Sequence, residues 1–213
     1  MTIGFPVSVT SRAVVLRADN IDTDVITPIA RVVEGREAFV RYAFEPLRFD
    51  ETGLARRDDP FGDPARTGAE ILIAGANFGC GSSRESAAMA VRGMGFRVVI
   101  APSYGDIFYS NCLKNGVLTV RLPESMVEVV MQVADDLGMI SVDLPAQLVR
   151  FWGTEAKFDI GELQKEMLLS GLDEIGMMQA RSAARSDYIA RDSVARPWVR
   201  NRANDSDLKD IAP

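Results

Sequence analysis

The chain has 213 residues, 47% of them hydrophobic and 25% charged, enough to bury a sizeable core as an ordinary globular domain. Its net charge of −6 argues against a broad nucleic-acid footprint, and no apolar run reaches the roughly 18 residues of a membrane span. It has no histidine and only two cysteines, Cys80 and Cys112, which removes the Ser-His-Asp triad, the HExxH zinc site, any imidazole acid–base catalyst and a disulfide framework.

In chain order, Thr10–Leu16 reads as one β-branched strand, followed by a turn-rich stretch from Arg17 to Asp24. Glu34–Leu47 has helical spacing of Ala38, Val40, Ala43 and Leu47, and residues 50–69, rich in Asp, Gly, Pro and Arg, read as a long exposed loop. Such a loop in a compact domain is either a functional cover or mobile. A strong alternation follows: strand Glu70–Ala74, helix Ser83–Met94, strand Arg97–Ala101, helix Tyr104–Lys114 and strand Val117–Leu122. Short apolar strands alternating with helices imply a parallel layer. Glu124–Leu137 is an amphipathic helix, Ile140–Leu144, Gln147–Trp152 and Ala156–Ile160 are strands, and Gly161–Ser170 is a further helix. From Arg181 the chain turns polar, which predicts a solvated or partly helical extension over 181–213 after a domain over 1–180. Met1–Val15 lacks the layout of a signal peptide, so a cytoplasmic address with neither membrane nor nucleic acid as partner is expected.

The chemistry concentrates in Asn77-Phe-Gly-Cys-Gly-Ser-Ser-Arg-Glu85, between a predicted strand and a predicted helix. Gly79 and Gly81 permit a tight turn and close approach of a ligand. Ser82 and Glu85 have capping-box spacing, which predicts a helix start near Ser82 and an anion-attracting N-terminus there. Arg84 adds a planar fork suited to a carboxylate. A dinucleotide loop is disfavoured because Arg84 stands where the third glycine of GxGxxG belongs, and no Walker lysine follows. On the capping pattern alone, a purely structural capped helix is the better account of the segment. Asp22 and Asp24 read as turn-forming and capping residues rather than metal ligands, and Phe108-Tyr109 as core.

The whole string resembles the signature loop of the aconitase superfamily's swivelling domain, most closely that of the isopropylmalate dehydratase small-subunit family. Other stretches fit the same family in the same order: Asp19-Asn-Ile-Asp-Thr-Asp24 with Pro28, Val98 through Phe108, Asn111 through Leu118, and Ser170 through Gly176. The resemblance spans about residues 8 to 180. It implies a three-layer β/β/α swivelling domain, as in the aconitase C-terminal domain, and a hydro-lyase subunit active only with a large partner. That partner would carry the 4Fe–4S cluster on three cysteines, leaving this chain no metal ligands and leaving Cys80 and Cys112 to pack as small apolar residues.

By the same resemblance, Ser82 is the base that removes a proton beside a substrate carboxylate, and Arg84, helped by Ser83, grips that carboxylate. Arg31, Val32 and Val33 fall in the loop, about Ile29–Val33, that helps select the substrate side chain. The implied substrate is a small dicarboxylic hydroxy acid, 2-isopropylmalate in leucine biosynthesis. Ser86, where the family usually has histidine, and the differences over 29–49 leave room for 2-methylmalate/citraconate or a homoaconitate-like acid instead. A non-catalytic carboxylate-binding module is the alternative of another class.

Overall fold

A computed structural model describes residues 4–172, 174–180 and 182–200. Two units pack separately: one ends at Gly171 and a second begins at Leu172.

The first unit opens with a change of sheet. The run read as one strand is two, β1 (Ser8–Ser11) and β2 (Ala13–Leu16). β1 pairs antiparallel with β6 (Ile140–Asp143), whereas β2 pairs parallel with β3 (Ile71–Ala74). The switch at Arg12 is held by Ser11, which is nearly buried. Its hydroxyl donates to Arg12 O (2.7 Å) and accepts from Glu70 N–H (2.9 Å), so it stitches the crossing point to the start of β3.

The parallel sheet runs in the order β2, β3, β4 (Val98–Ala101), β5 (Leu118–Arg121). All four residues of β3 and of β4 are buried, as expected for strands covered on both faces. On one face, Leu72, Ala74, Val99 and Ala101 share a core with α5 (Ser86–Gly93) and α6 (Asp106–Lys114). On the other face, Ile71, Ile73, Ile100 and Val120 share a core with α7 (Glu124–Asp135) and the antiparallel sheet. That second sheet has the order β1, β6, β7 (Leu148–Phe151), β8 (Thr154–Lys157). The layers are therefore antiparallel sheet, parallel sheet and helices, the β/β/α arrangement expected. α8 (Glu162–Ser170) ends at Gly171, and Leu168 O accepts Phe5 N–H at 2.8 Å.

Two predicted elements differ. Where the spacing predicts one helix over 34–47, residues 23–48 carry four short ones: α1 (Thr23–Ile26), α2 (Ile29–Glu34), α3 (Arg36–Arg41) and α4 (Glu45–Arg48). The breaks fall at Gly35 (φ 106°) and at buried Phe44 (φ 56°), whose N–H donates to Ile26 O at 3.0 Å instead of continuing a helix. Residues 50–69 are an ordered cover. Asp50, Asp59 and Asp63 each accept their own downstream N–H groups, a 3-10 turn forms at Pro64–Arg66, and Arg66 Nη1 donates to Ala13 O of β2 at 2.7 Å.

The second unit contains α9 (Glu174–Ala180), α10 (Ser182–Ala195) and α11 (Pro197–Arg200). The change to a polar composition comes at Arg181, which lies outside the described residues, as does Asp173 in the matched stretch 170–176. No helix of the described residues is long and apolar enough to cross a membrane.

The sheet switch sets a measurable cost. Ser11→Ala leaves the Glu70 N–H without its acceptor and is expected to lower stability by about 1–2 kcal/mol. The check is a urea titration whose midpoint falls while its slope holds; an unchanged midpoint contradicts the stitching role.

Candidate active site

Because β2, β3 and β4 are parallel, the segments that follow them leave from the same edge of the sheet, where ligands of open α/β sheets gather. Here the parallel pairing does not stop with the strands. Asn20 N–H donates to Ala76 O (2.9 Å), Gly79 N–H to Ile21 O (2.7 Å) and Thr23 N–H to Cys80 O (2.9 Å). Side chains strengthen the seam: Asp19 Oδ1 accepts Ala76 N–H (2.7 Å), and Asn77 Nδ2 donates to Asn20 Oδ1 (2.8 Å). On the far side, Phe78 N–H donates to Ser103 O (3.1 Å) and Gly105 N–H to Phe78 O (3.0 Å). Residues 77–80 thus lie between two neighbours as a strand does.

Below them is an aromatic floor. Phe78 is wholly buried and meets Phe108 edge-on, with ring centroids 5.3 Å apart. Gly79 has φ 71°, and a Cβ there would stand 2.2 Å from the Phe108 ring, so neither the backbone conformation nor the space admits a side chain. Phe108 is core, as expected, and Tyr109 packs partly buried against both cores.

The helix start is not where the capping-box spacing puts it. α5 begins at Ser86, with Glu85 at its N-cap position and no side-chain cap. Both members of the expected box are engaged elsewhere: Ser82 N–H donates to Thr23 Oγ1 (3.0 Å), and Glu85 Oε1 accepts Asn115 Nδ2 (2.9 Å). Ser82, Ser83 and Arg84 therefore belong to a loop ahead of the helix, and Ser82 and Ser83 are exposed. The α5 dipole does not begin at Ser82, so the anion-attracting N-terminus expected there starts four residues later.

Arg84 is the cation of this loop. Its Nη2 pairs with Asp24 Oδ1 at 2.7 Å and makes a long contact to Thr23 Oγ1 (3.4 Å), and its Nη1 makes another to Thr27 O (3.5 Å). Its Nε is among the few buried side-chain atoms of the described residues left without a hydrogen bond; the hydroxyl of neighbouring Ser86 is another. The fork is thus incompletely used. Asp22 caps α1, its Oδ1 accepting Asp24 and Val25 N–H at 2.9 and 2.8 Å, as expected. The pairing of Asp24 with Arg84 was not foreseeable from local spacing, since the partners lie in different loops.

The segment expected to select the substrate side chain is helical rather than a loop. Within α2, Arg31 is consumed: it forks onto Glu45 (2.9 and 2.6 Å), pairs with Glu34 (2.7 Å) and stacks over the Tyr42 ring at 4.1 Å. Val32 is half-buried, while Val33 is 84% and Ile29 58% exposed, one helical turn apart on one face. The structure thus places Ser82, Ser83 and Arg84 in one loop, whereas Arg31 is engaged as a strut between α2 and α4.

Cys112 is wholly buried, and burial pushes its thiol up. Among the described residues no group of three His, Cys, Asp or Glu side chains is placed to hold a metal ion.

Comparison with known proteins matches this architecture. The aconitase C-terminal domain family matches residues 63–125. The 3-isopropylmalate dehydratase small subunit of Rhodospirillum centenum is 43% identical over 195 residues, covering 89% of this chain and 96% of that one. The chain belongs to the 3-isopropylmalate dehydratase small-subunit family. Members from Erythrobacter litoralis and Zymomonas mobilis are 45% and 44% identical, over 88% and 90% of this chain and 92% and 97% of theirs. The crystal structure of the 3-isopropylmalate dehydratase of Methanocaldococcus jannaschii shares the fold, with a TM-score of 0.61 at 24% identity, covering 85% of this chain and 99% of that one.

The Arg31–Glu45 strut has a pH signature. The hydrogen bond from Arg31 holds the Glu45 carboxyl below its ordinary range. Its stabilisation is therefore complete above the unfolded carboxyl's value of about 4.3 and fades as the pH falls through the lower folded value. Glu45→Gln is expected to cost about 1 kcal/mol at pH 7, with the gap to the parent closing below about pH 4. Thermal melts across that range check this, and a gap that widens in acid contradicts it.

Proposed function

We propose that this chain is the small subunit of a hydro-lyase that interconverts 2-isopropylmalate and 3-isopropylmalate by losing and regaining water, serving leucine biosynthesis. One observation carries the reading: in a chain of this family, a serine and an incompletely paired guanidinium share one loop at the carboxyl edge of the parallel sheet. The partner is the large subunit, and the 4Fe–4S cluster of the aconitase superfamily belongs there. Two cysteines, one of them sealed in the core, do not make a three-thiolate set.

This chain's share is handling of the proton and the carboxylate. The Ser82 oxygen takes the C3 proton of 2-isopropylmalate as the C2 hydroxyl departs as hydroxide, for which the partner's cluster would supply a Lewis acid when bound. It returns a proton to C2 when the hydroxyl adds at C3. A serine holds its proton at neutral pH, so its oxygen needs cations and donors around it to act as a base. Arg84 is the nearest cation in the loop, and in the free chain it rests on Asp24. A substrate carboxylate offers the fork a bidentate partner that a single oxygen of Asp24 does not, so substrate draws Arg84 into place beside Ser82. Ser83, exposed in the same loop, adds a hydroxyl for that carboxylate. The exposed Ile29–Val33 face of α2, with Val32 behind it, is the apolar wall for the isopropyl group, and Arg31 keeps that helix in shape.

The test is reconstitution with the cluster-bearing large subunit and an assay on 2-isopropylmalate, 2-methylmalate and homoaconitate side by side. Ser82→Ala is expected to lower kcat by about 100-fold or more while KM changes little. Arg84→Lys should raise KM by about tenfold, because a point charge does not reproduce the fork. A full rate for Ser82→Ala refutes the role of base, and preference for 2-methylmalate or homoaconitate reassigns the substrate.

A further inference from the structure

Thr23 has no part in the chemistry described so far, yet it touches both halves of it. It is the first residue of α1 and is 1% exposed. Its N–H donates to Cys80 O at 2.9 Å, and its own carbonyl accepts Thr27 N–H at 2.9 Å, so its backbone is fixed from both sides. Its side-chain oxygen then accepts Ser82 N–H at 3.0 Å and lies 3.4 Å from Arg84 Nη2. A threonine hydroxyl has two acceptor positions, and here both point to the reacting loop. One binds the backbone of the residue whose hydroxyl moves the proton. The other meets the guanidinium that holds the carboxylate.

The loop needs such a tether, because beyond Cys80 it loses the strand-like pairing and is not yet helix. Gly81 has φ 93° and Ser82 and Ser83 are exposed, so the seam of residues 20–23 with 76–80 ends just before the residue that requires placement. Asn111 on α6 approaches the loop only through Ser83 O, at 3.4 Å.

We propose that Thr23 is a positioning residue that sets Ser82 and Arg84 in mutual register for proton transfer; this rests on the dehydratase reading given above. A buried hydroxyl used only for folding would pass its loss on as lower stability. A hydroxyl used for register passes it on as slower turnover, because Ser82 is exposed and water can satisfy its N–H once Thr23 no longer does.

The experiment uses the reconstituted two-chain enzyme with Thr23→Val, which keeps the side-chain shape and removes both acceptors, and Thr23→Ser, which keeps the oxygen. With 2-isopropylmalate, Thr23→Val is expected to lower kcat about tenfold or more and raise KM severalfold, whereas Thr23→Ser stays within about threefold of the parent. In a Ser82→Ala background, the kcat loss from Thr23→Val should disappear, since residues acting as a unit are not additive. If the parent enzyme itself does not turn over 2-isopropylmalate, the dehydratase reading fails. If the parent works and Thr23→Val matches it, or Thr23→Ser is as poor as Thr23→Val, or the loss persists in the Ser82→Ala background, the positioning role is overturned. Should Thr23→Val not assemble, hydrogen exchange at the Ser82 amide decides. Exchange about tenfold faster in Thr23→Ala than in the parent supports the tether, and equal rates remove it.

Discussion

The structure depends on a parallel register that outlives its strands. Between β2 and β3 the hydrogen-bonded pairing continues from Asn20–Ala76 through Ile21–Gly79 to Thr23–Cys80. A loop at the edge of a sheet is ordinarily the least constrained part of a fold. Here the peptide that leads to Ser82 is held laterally by the segment after β2 and by the segment after β4, over the rings of Phe78 and Phe108. The whole hydrophobic effort of two cores, one on each face of the parallel sheet, is thereby transmitted to a few polar atoms.

The same geometry explains why the chain is half of a catalyst. Ser82 stands on the surface, the α5 dipole begins four residues later, and the guanidinium nearest to it is partly neutralised by Asp24. With Ser82 as the proposed base, each of these lowers the field that a serine needs before it can accept a proton. An exposed hydroxyl in water is no base at all. On the proposed reading, what this chain contributes is placement, and a partner surface over the loop would supply the water-excluded surroundings in which placement matters.

Much of this was legible in the sequence, for identifiable reasons. Runs such as Ile71–Ala74 and Val98–Ala101 are apolar without alternation, which is what strands covered on both faces require, and the intervening periodicity marked α5 and α6. The motif from Asn77 to Glu85 marked the loop because it combines glycines, hydroxyls and a guanidinium between a strand and a helix. What failed were local rules overridden by distant partners. The Ser82–Glu85 capping box was pre-empted by Thr23 and Asn115, both remote in sequence. Thr10–Leu16 looked continuous because Ser11, which ends one sheet, and Ala13, which begins the next, suit a strand equally well. Arg31 meets Glu34 one turn along α2, a local pair, whereas its engagement by Glu45 and Tyr42 lies beyond the reach of local spacing.

The cover formed by residues 50–69 has a consequence for how copies of this chain meet. β2 borders the parallel sheet, and a bare border invites any extended chain to add itself. The guanidinium of Arg66 occupies Ala13 O, and Arg12 reaches back to Ala65 O, so the cover and the strand are buttoned to each other. Newly synthesised copies then meet one another with that margin closed.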